Sequence, residues 1–254
     1  MHGAPAARNS ARVLGARIDA LSWSQAIERI GGWAAARESR YVCVCNVHSA
    51  VTASQNTDFA KAIEECDLAT PDGAPVAWML RRLGHDTQQR INGPDLMWKY
   101  LAHISGSQES IYLYGGSEST IEALKRRIAA DFPNTRIVGS YSPPFRPLTA
   151  EEDAEAVDRI NSSGAGTVWI SLGCPKQELW MAAHRGRVNA VMIGVGAAFD
   201  FHAGTVQRAP EWMRNNGLEW LHRLATEPGR LWKRYLVTNS IFLVRAAAQL
   251  LERR

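Results

Sequence analysis

Along this chain, short continuous apolar runs alternate with longer stretches in which apolar residues recur every three or four positions. Tyr41-Val42-Cys43-Val44-Cys45-Asn46 is a β-prone run of the kind that forms a strand buried on both faces. Residues 190–196 read as another buried strand, and residues 111–117, 136–141 and 167–173 as strands. Helical spacing predicts helices over residues 24–36, 48–65, 74–83 and 96–104. Ser117 is placed to cap a further helix whose stripe is Ile121, Leu124 and Ile128, and Thr149 with Glu152 fits a capping box for one ending near residue 161. Pro175 stands near the first position of another. Strands alternating with helices of ten to fifteen residues predict an α/β fold built on a parallel sheet with right-handed crossovers. Residues 13–21 form an apolar entry broken by Gly15, and residues 1–11 read as a loose, disordered tail.

Near residue 207 the pattern changes. The last forty-odd residues read as wholly helical, so the expected division is a catalytic core over 1–207 and a helical appendage over 208–254. Charge follows the same division. Of the net +4, the appendage carries +5 (nine Lys/Arg against four acids) and the core carries −1. From Pro228 onwards, Leu231, Tyr235, Phe242, Ala246 and Leu250 share one helical face, which Trp232, Leu236, Leu243 and Leu251 widen. Such a face suits a helix lying in a membrane interface with cations towards anionic headgroups, or one packed on the domain or a second subunit. A nucleic-acid surface fits less well, because the cations are interleaved with a broad apolar face. No apolar run reaches the length of a membrane span, no secretory leader is recognisable, and the four cysteines lack metal-ligand spacing. A cytoplasmic protein is expected, with a homo-oligomer left open.

Candidate chemistry lies where strands end. In a parallel sheet all carboxyl ends face one way and ligands bind there. Asn46, Asp72, Gly115-Gly116, Gln177 and Gly196 should therefore converge on one crevice. Thr70-Pro71-Asp72-Gly73 is a turn signal: Pro presets φ, Asp bonds nearby backbone and Gly accepts positive φ. Asp72 is either a turn-shaping or capping residue or, partly desolvated on that turn, a general base. Asp200 and His202 offer a competing acid–imidazole pair, and Cys174 a candidate thiolate at a helix start. Gly115-Gly116-Ser117 is a tight turn or a phosphate cradle. The chain has no Walker A lysine and no GxGxxG after a strand, which disfavours nucleotidases and nicotinamide enzymes. It also lacks Asp-x-Asp and HExxH, so sugar-nucleotide chemistry here would need cations in place of a metal ion. Arg223, Arg230, Lys233 and Arg234, around Thr226-Glu227-Pro228, can supply them.

Taken together, Cys45-Asn46-Val47-His48, Thr70-Pro71-Asp72-Gly73, Arg90-Ile91-Asn92-Gly93-Pro94-Asp95, Tyr114-Gly115-Gly116, Gly173-Cys174-Pro175-Lys176-Gln177-Glu178, Gly194-Val195-Gly196-Ala197-Ala198-Phe199-Asp200 and the tail from Trp220 to Tyr235 resemble the WecG/TagA/CpsF family of bacterial glycosyltransferases (glycosyltransferase family 26). The likeness runs from about residue 13 to 242. It implies a Rossmann-like core and an inverting, metal-independent transferase without a cofactor. The implied donor is a UDP-sugar (N-acetylmannosamine, its uronic acid or glucose), and the acceptor is a polyprenyl-diphosphate-linked saccharide at the cytoplasmic membrane surface. It implies Asp72 as base, Asn46, Arg90 and Gln177 as pocket residues, and Arg223, Arg230 and Lys233 as closing cations. The chain departs from the family at Val44, where threonine is frequent, and at Lys233, where arginine is common; lysine there loses a bidentate grip on phosphate. A rival reading is a non-catalytic module that holds a nucleotide sugar within a polysaccharide-assembly complex.

Overall fold

Two adjacent strands, β1 (Ser10–Val13) and β2 (Ala16–Asp19), form an antiparallel hairpin at the start of the computed structural model, which describes residues 8–252 apart from the side chains of Arg230 and Arg234. Ser10 and Ala11, expected in a loose tail, are thus paired backbone. Ala20 N–H donates to the Asn9 carbonyl at 2.8 Å, and Arg8 pairs with Asp19. The remainder of that expected tail, residues 1–7, lies outside the described residues.

The main sheet contains β3 (Arg40–Cys45), β4 (Leu68–Pro71), β5 (Ser110–Gly115), β6 (Arg136–Tyr141), β7 (Thr167–Ser171) and β8 (Val191–Gly194). All are parallel, in the order β4-β3-β8-β7-β5-β6. Covering helices are α1 (Trp23–Ala35), α2 (Val47–Ala53), α3 (Thr57–Glu65), α4 (Ala74–Arg82), α5 (Gly93–Ile104), α6 (Glu118–Asp131), α7 (Ala150–Ser163), α8 (Lys176–His184) and α9 (Ala198–Ala203). This is the Rossmann-like α/β architecture. Period-two geometry sends alternate side chains of each strand to opposite faces. Accordingly Tyr41, Cys43 and Cys45 join one core layer with Phe59, Met79 and Met181, while Val42 and Val44 join the other with Ile30, Tyr100 and Leu124. Hence the uninterrupted apolar run.

The single helix expected over residues 48–65 is two, α2 and α3. Asn56 ends the run by adopting extended backbone and accepting the Phe59 N–H at 2.8 Å, an N-cap that restarts the helix in a new direction.

Beyond the sheet come α10 (Glu211–Asn215), α11 (Glu219–Thr226) and α12 (Pro228–Leu251). The far half of α12 packs on the core, where Phe242 and Ala246 are buried. Gln249 donates to the Arg12 carbonyl and accepts the Leu14 N–H at 3.0 Å. Its opposite side, with Leu236, Val237, Leu243 and Val244, is exposed.

At the end of β5 the backbone of Gly115 has φ +101°, and a Cβ there would lie 2.5 Å from the Ser171 carbonyl oxygen. Both strands are locked by pairing, so neither can give way. Gly115→Ala should lower the unfolding free energy by roughly 2–4 kcal/mol, read from the urea midpoint; an unmoved midpoint would contradict the close approach.

Candidate active site

Cys45 and Pro71 are register partners, so the residues that follow them, Asn46 and Asp72, emerge side by side at the sheet rim. The Asp72 N–H donates to the Cys45 carbonyl at 2.8 Å. Gly73, at φ +87°, turns the chain into α4 and is itself that helix's N-cap, with no side-chain capping bond. Asp72 is therefore not the cap. Its carboxylate instead meets the Arg90 guanidinium, Nε to Oδ1 at 3.4 Å, and the Asn46 side chain. Arg90 is placed by its neighbour Ile91, whose N–H donates to the Pro71 carbonyl at 2.8 Å. Asn46 also caps α2 through the Ser49 N–H. Buried Gln177 accepts the Gly196 N–H at 3.1 Å and donates to Glu178 at 3.0 Å. Gly194 makes room for it, since a Cβ there would come within 3.0 Å of the Gln177 amide nitrogen.

Asn46, Asp72, Arg90 and Gln177 line one cavity of about 420 Å³. Glu219, Trp220 and Arg223 of α11 and Tyr235 of α12 close its other side. Burial pushes the Asp72 carboxyl above the usual carboxylate range. Arg90 opposes that push and Glu219 adds to it. Burial pulls the Arg90 guanidinium down, but Asp72 and Glu219 more than offset this and it stays charged. Glu219 was not singled out from the sequence, yet it binds Arg90 at 2.5 Å. From there charges alternate outwards: Arg208 stands 3.8 Å from Glu219 and 2.7 Å from Asp95. A second unanticipated group is Glu178 on the cavity wall, its carboxyl raised by burial and one oxygen without a hydrogen-bond partner.

Other expected residues lie elsewhere. Gly115 is a packing glycine against Ser171, absent from the cavity lining. Gly116 lines a neighbouring cavity of about 740 Å³ with Ser117, Lys176 and Asp200, but its N–H donates to the Ser171 carbonyl at 3.0 Å instead of facing a ligand. The two cavities share Gly173, Gly196 and Ala197. Arg223 lies over the Phe201 ring at 5.4 Å and 3.6 Å from Glu227. Lys233 lines neither cavity and sits 5.5 Å from the Trp232 ring. The Arg230 side chain is outside the described residues. Cys174 is a cysteine outside any disulfide on the cavity wall, its Sγ 4.0 Å from the Ser49 hydroxyl. Among the described residues no group of three His, Cys, Asp or Glu is arranged to hold a metal ion.

The Asp200–His202 pair does not form. His202 donates through Nε2 to the Pro94 carbonyl at 2.9 Å and stacks on Trp98 at 3.4 Å, while Asp200 accepts from Thr205. One helical turn separates neighbours of i and i+3 or i+4, so residues two apart point to different sides.

A family model described as "Glycosyl transferase WecG/TagA/CpsF family" matches residues 11–254. Two curated relatives are both named N-acetylglucosaminyldiphosphoundecaprenol N-acetyl-beta-D-mannosaminyltransferase. The one from Bacillus spizizenii strain W23 is 31% identical over 197 residues, which is 77% of this chain and 74% of that protein. The one from Bacillus subtilis strain 168 is 33% identical over 199 residues, again 77% and 74%.

Burial lowers the His202 imidazole from 6.5 to about 4. The unfolded chain therefore takes up this proton first, and stability present above pH 6.5 should drain away as pH falls towards 4. Urea midpoints across that window should slope downwards, and His202→Gln should flatten the slope.

Proposed function

The chain belongs to the WecG/TagA/CpsF family of glycosyl transferases. From that premise we propose that it moves N-acetylmannosamine from a UDP-sugar to N-acetylglucosamine carried on a polyprenyl diphosphate. The observation that carries this reading is Asp72: a carboxylate at the sheet rim, flanked by Asn46 and Arg90 in a cavity of about 420 Å³, with its proton affinity raised by burial. A general base needs a carboxylate that is ionised yet proton-hungry near the working pH. The names of both relatives favour N-acetylmannosamine over its uronic acid or glucose, and point to the lipid-diphosphate acceptor.

In this mechanism Asp72 takes the proton from the acceptor hydroxyl as its oxygen attacks the anomeric carbon from the face opposite UDP, so configuration inverts. The C–O bond to UDP breaks and the electron pair leaves with the diphosphate. Arg223, already on the cavity wall, meets that charge, with Arg230 and Lys233 brought in by closure of the appendage. These cations take the part that a metal ion plays elsewhere. Because the two cavities adjoin at Gly173 and Gly196, the larger one is a fitting place for the donor nucleotide.

The acceptor is a lipid, and α12 offers a surface for its membrane. Leu231, Phe242 and Ala246 face inwards, while Trp232, Leu236, Val237, Leu243, Val244 and Leu251 stand exposed on the other side. No helix among the described residues is long and apolar enough to cross a membrane. A one-sided apolar helix beside basic residues lies instead in the headgroup layer, here on the inner face of the cell membrane.

With UDP-N-acetylmannosamine and lipid-diphosphate N-acetylglucosamine, Asp72→Asn should cut UDP release by at least about 100-fold. Turnover near wild type would remove Asp72 from the base role, and activity abolished by EDTA and restored by manganese would remove the metal-free mechanism. Replacing Leu236, Leu243 and Val244 together by serine should abolish co-sedimentation with anionic vesicles while the melting temperature stays unchanged. Undiminished co-sedimentation would place the membrane contact elsewhere.

A further inference from the structure

Arg90 carries two carboxylates. Asp72 belongs to the sheet rim and Glu219 to the first turn of α11, 129 residues further along the chain from Arg90. All three side chains are largely buried, at 19% exposure for Asp72, 21% for Arg90 and 11% for Glu219. Glu219 is brought in by an arrangement with little tolerance. Gly217, at φ +71°, lets the turn between α10 and α11 lie against the start of α4, and a Cβ on it would come within 2.7 Å of the Ala74 Cβ. Ala74 is two residues after Asp72. Behind Glu219, Arg208 is fixed by Asp95 and Asn92, so the glutamate is supported from both sides.

We propose that Glu219 is a positioning residue for sugar transfer: by sharing the Arg90 guanidinium it keeps Asp72 available for the acceptor proton, and it makes that availability depend on the appendage being docked. A guanidinium given wholly to Asp72 would hold that carboxylate as a satisfied ion pair and a weak base. Divided between two carboxylates, it orients Asp72 while Glu219 repels added negative charge there. The inference rests on Asp72 being the base. The titratable groups around Asp72 in this cavity are Arg90 before α5, Glu219 and Arg223 on α11, His48 on α2, Cys174 and Glu178 at α8, and Tyr235 on α12. Of these, Arg90 and Glu219 are the charged groups that act on Asp72 most strongly.

The test is the pH profile of kcat/KM in the full-length chain. Removing the negative charge lowers the proton affinity of Asp72, so Glu219→Gln should move the acid limb down by roughly one pH unit. A weaker base should also cost about threefold in kcat at neutral pH, with KM for either substrate changed less than kcat. Glu219→Asp keeps the charge and should return the acid limb to within a few tenths of a unit of its original position. Gly217→Ala displaces Glu219 without removing it and should shift the limb the same way as Glu219→Gln. It serves as the deciding variant if Glu219→Gln fails to fold. An unmoved acid limb in Glu219→Gln or Gly217→Ala, or a loss confined to KM, would overturn the proposal. If Asp72→Asn abolishes transfer while the limb stays put, Glu219 alone has failed; if Asp72→Asn remains active, the base assignment has failed first.

Discussion

A guanidinium held between two carboxylates in a half-closed cavity is the interaction on which the site depends. Taking charges out of water costs several kcal/mol per ion, and only close, multiply bonded partners repay it. Arg90 meets that demand with Asp72 on one side and Glu219 on the other, and Arg208 extends the alternation to Asp95. The arrangement links three segments that share no secondary structure: the end of β4, the turn before α5 and the start of α11. Loss of Arg90 would leave two carboxylates without the cation between them, and loss of either carboxylate would hand the guanidinium to the other, so the site's electrostatics are tied to the placement of α11.

What the sequence made legible is what short-range physics dictates. Tyr41 to Cys45 read as a doubly buried strand because every residue in it is apolar, and it lies inside the sheet, between β4 and β8. Asp72 stood out because Pro71 and Gly73 announce a turn at a strand end, and parallel strands put Asn46 beside it. The break at Asn56 was also legible in principle, since asparagine is a strong N-cap; continuous helical spacing on both sides masked it. Gly115 was ambiguous for a different reason. A glycine needed for close backbone approach and one needed for a ligand leave the same mark in a sequence.

Glu219 was illegible. Its partner lies 129 positions away, and nothing local distinguishes a glutamate in a first helical turn from one that merely complements the helix dipole. Asp200 and His202 failed in the opposite direction, for they are close in sequence and yet turned apart by the helix they share. Contacts set by tertiary docking have to be seen; contacts set by the backbone can be read.

The last helix has its own consequence. Phe242, Ala246 and Gln249 fasten its far end to the core and to the hairpin turn, while its first turns border the cavity through Tyr235. From Ala246 back to Leu231 is an arm of about 22 Å at helical rise. A tilt of about 5° around the fastened end would carry the cavity end by about 2 Å, comparable to the difference between an ion pair and a gap. If the exposed side of the helix contacts a bilayer as proposed, the helix would act as a lever with its fulcrum in the protein, and the depth at which the surface grips it would become a mechanical input to the chemistry.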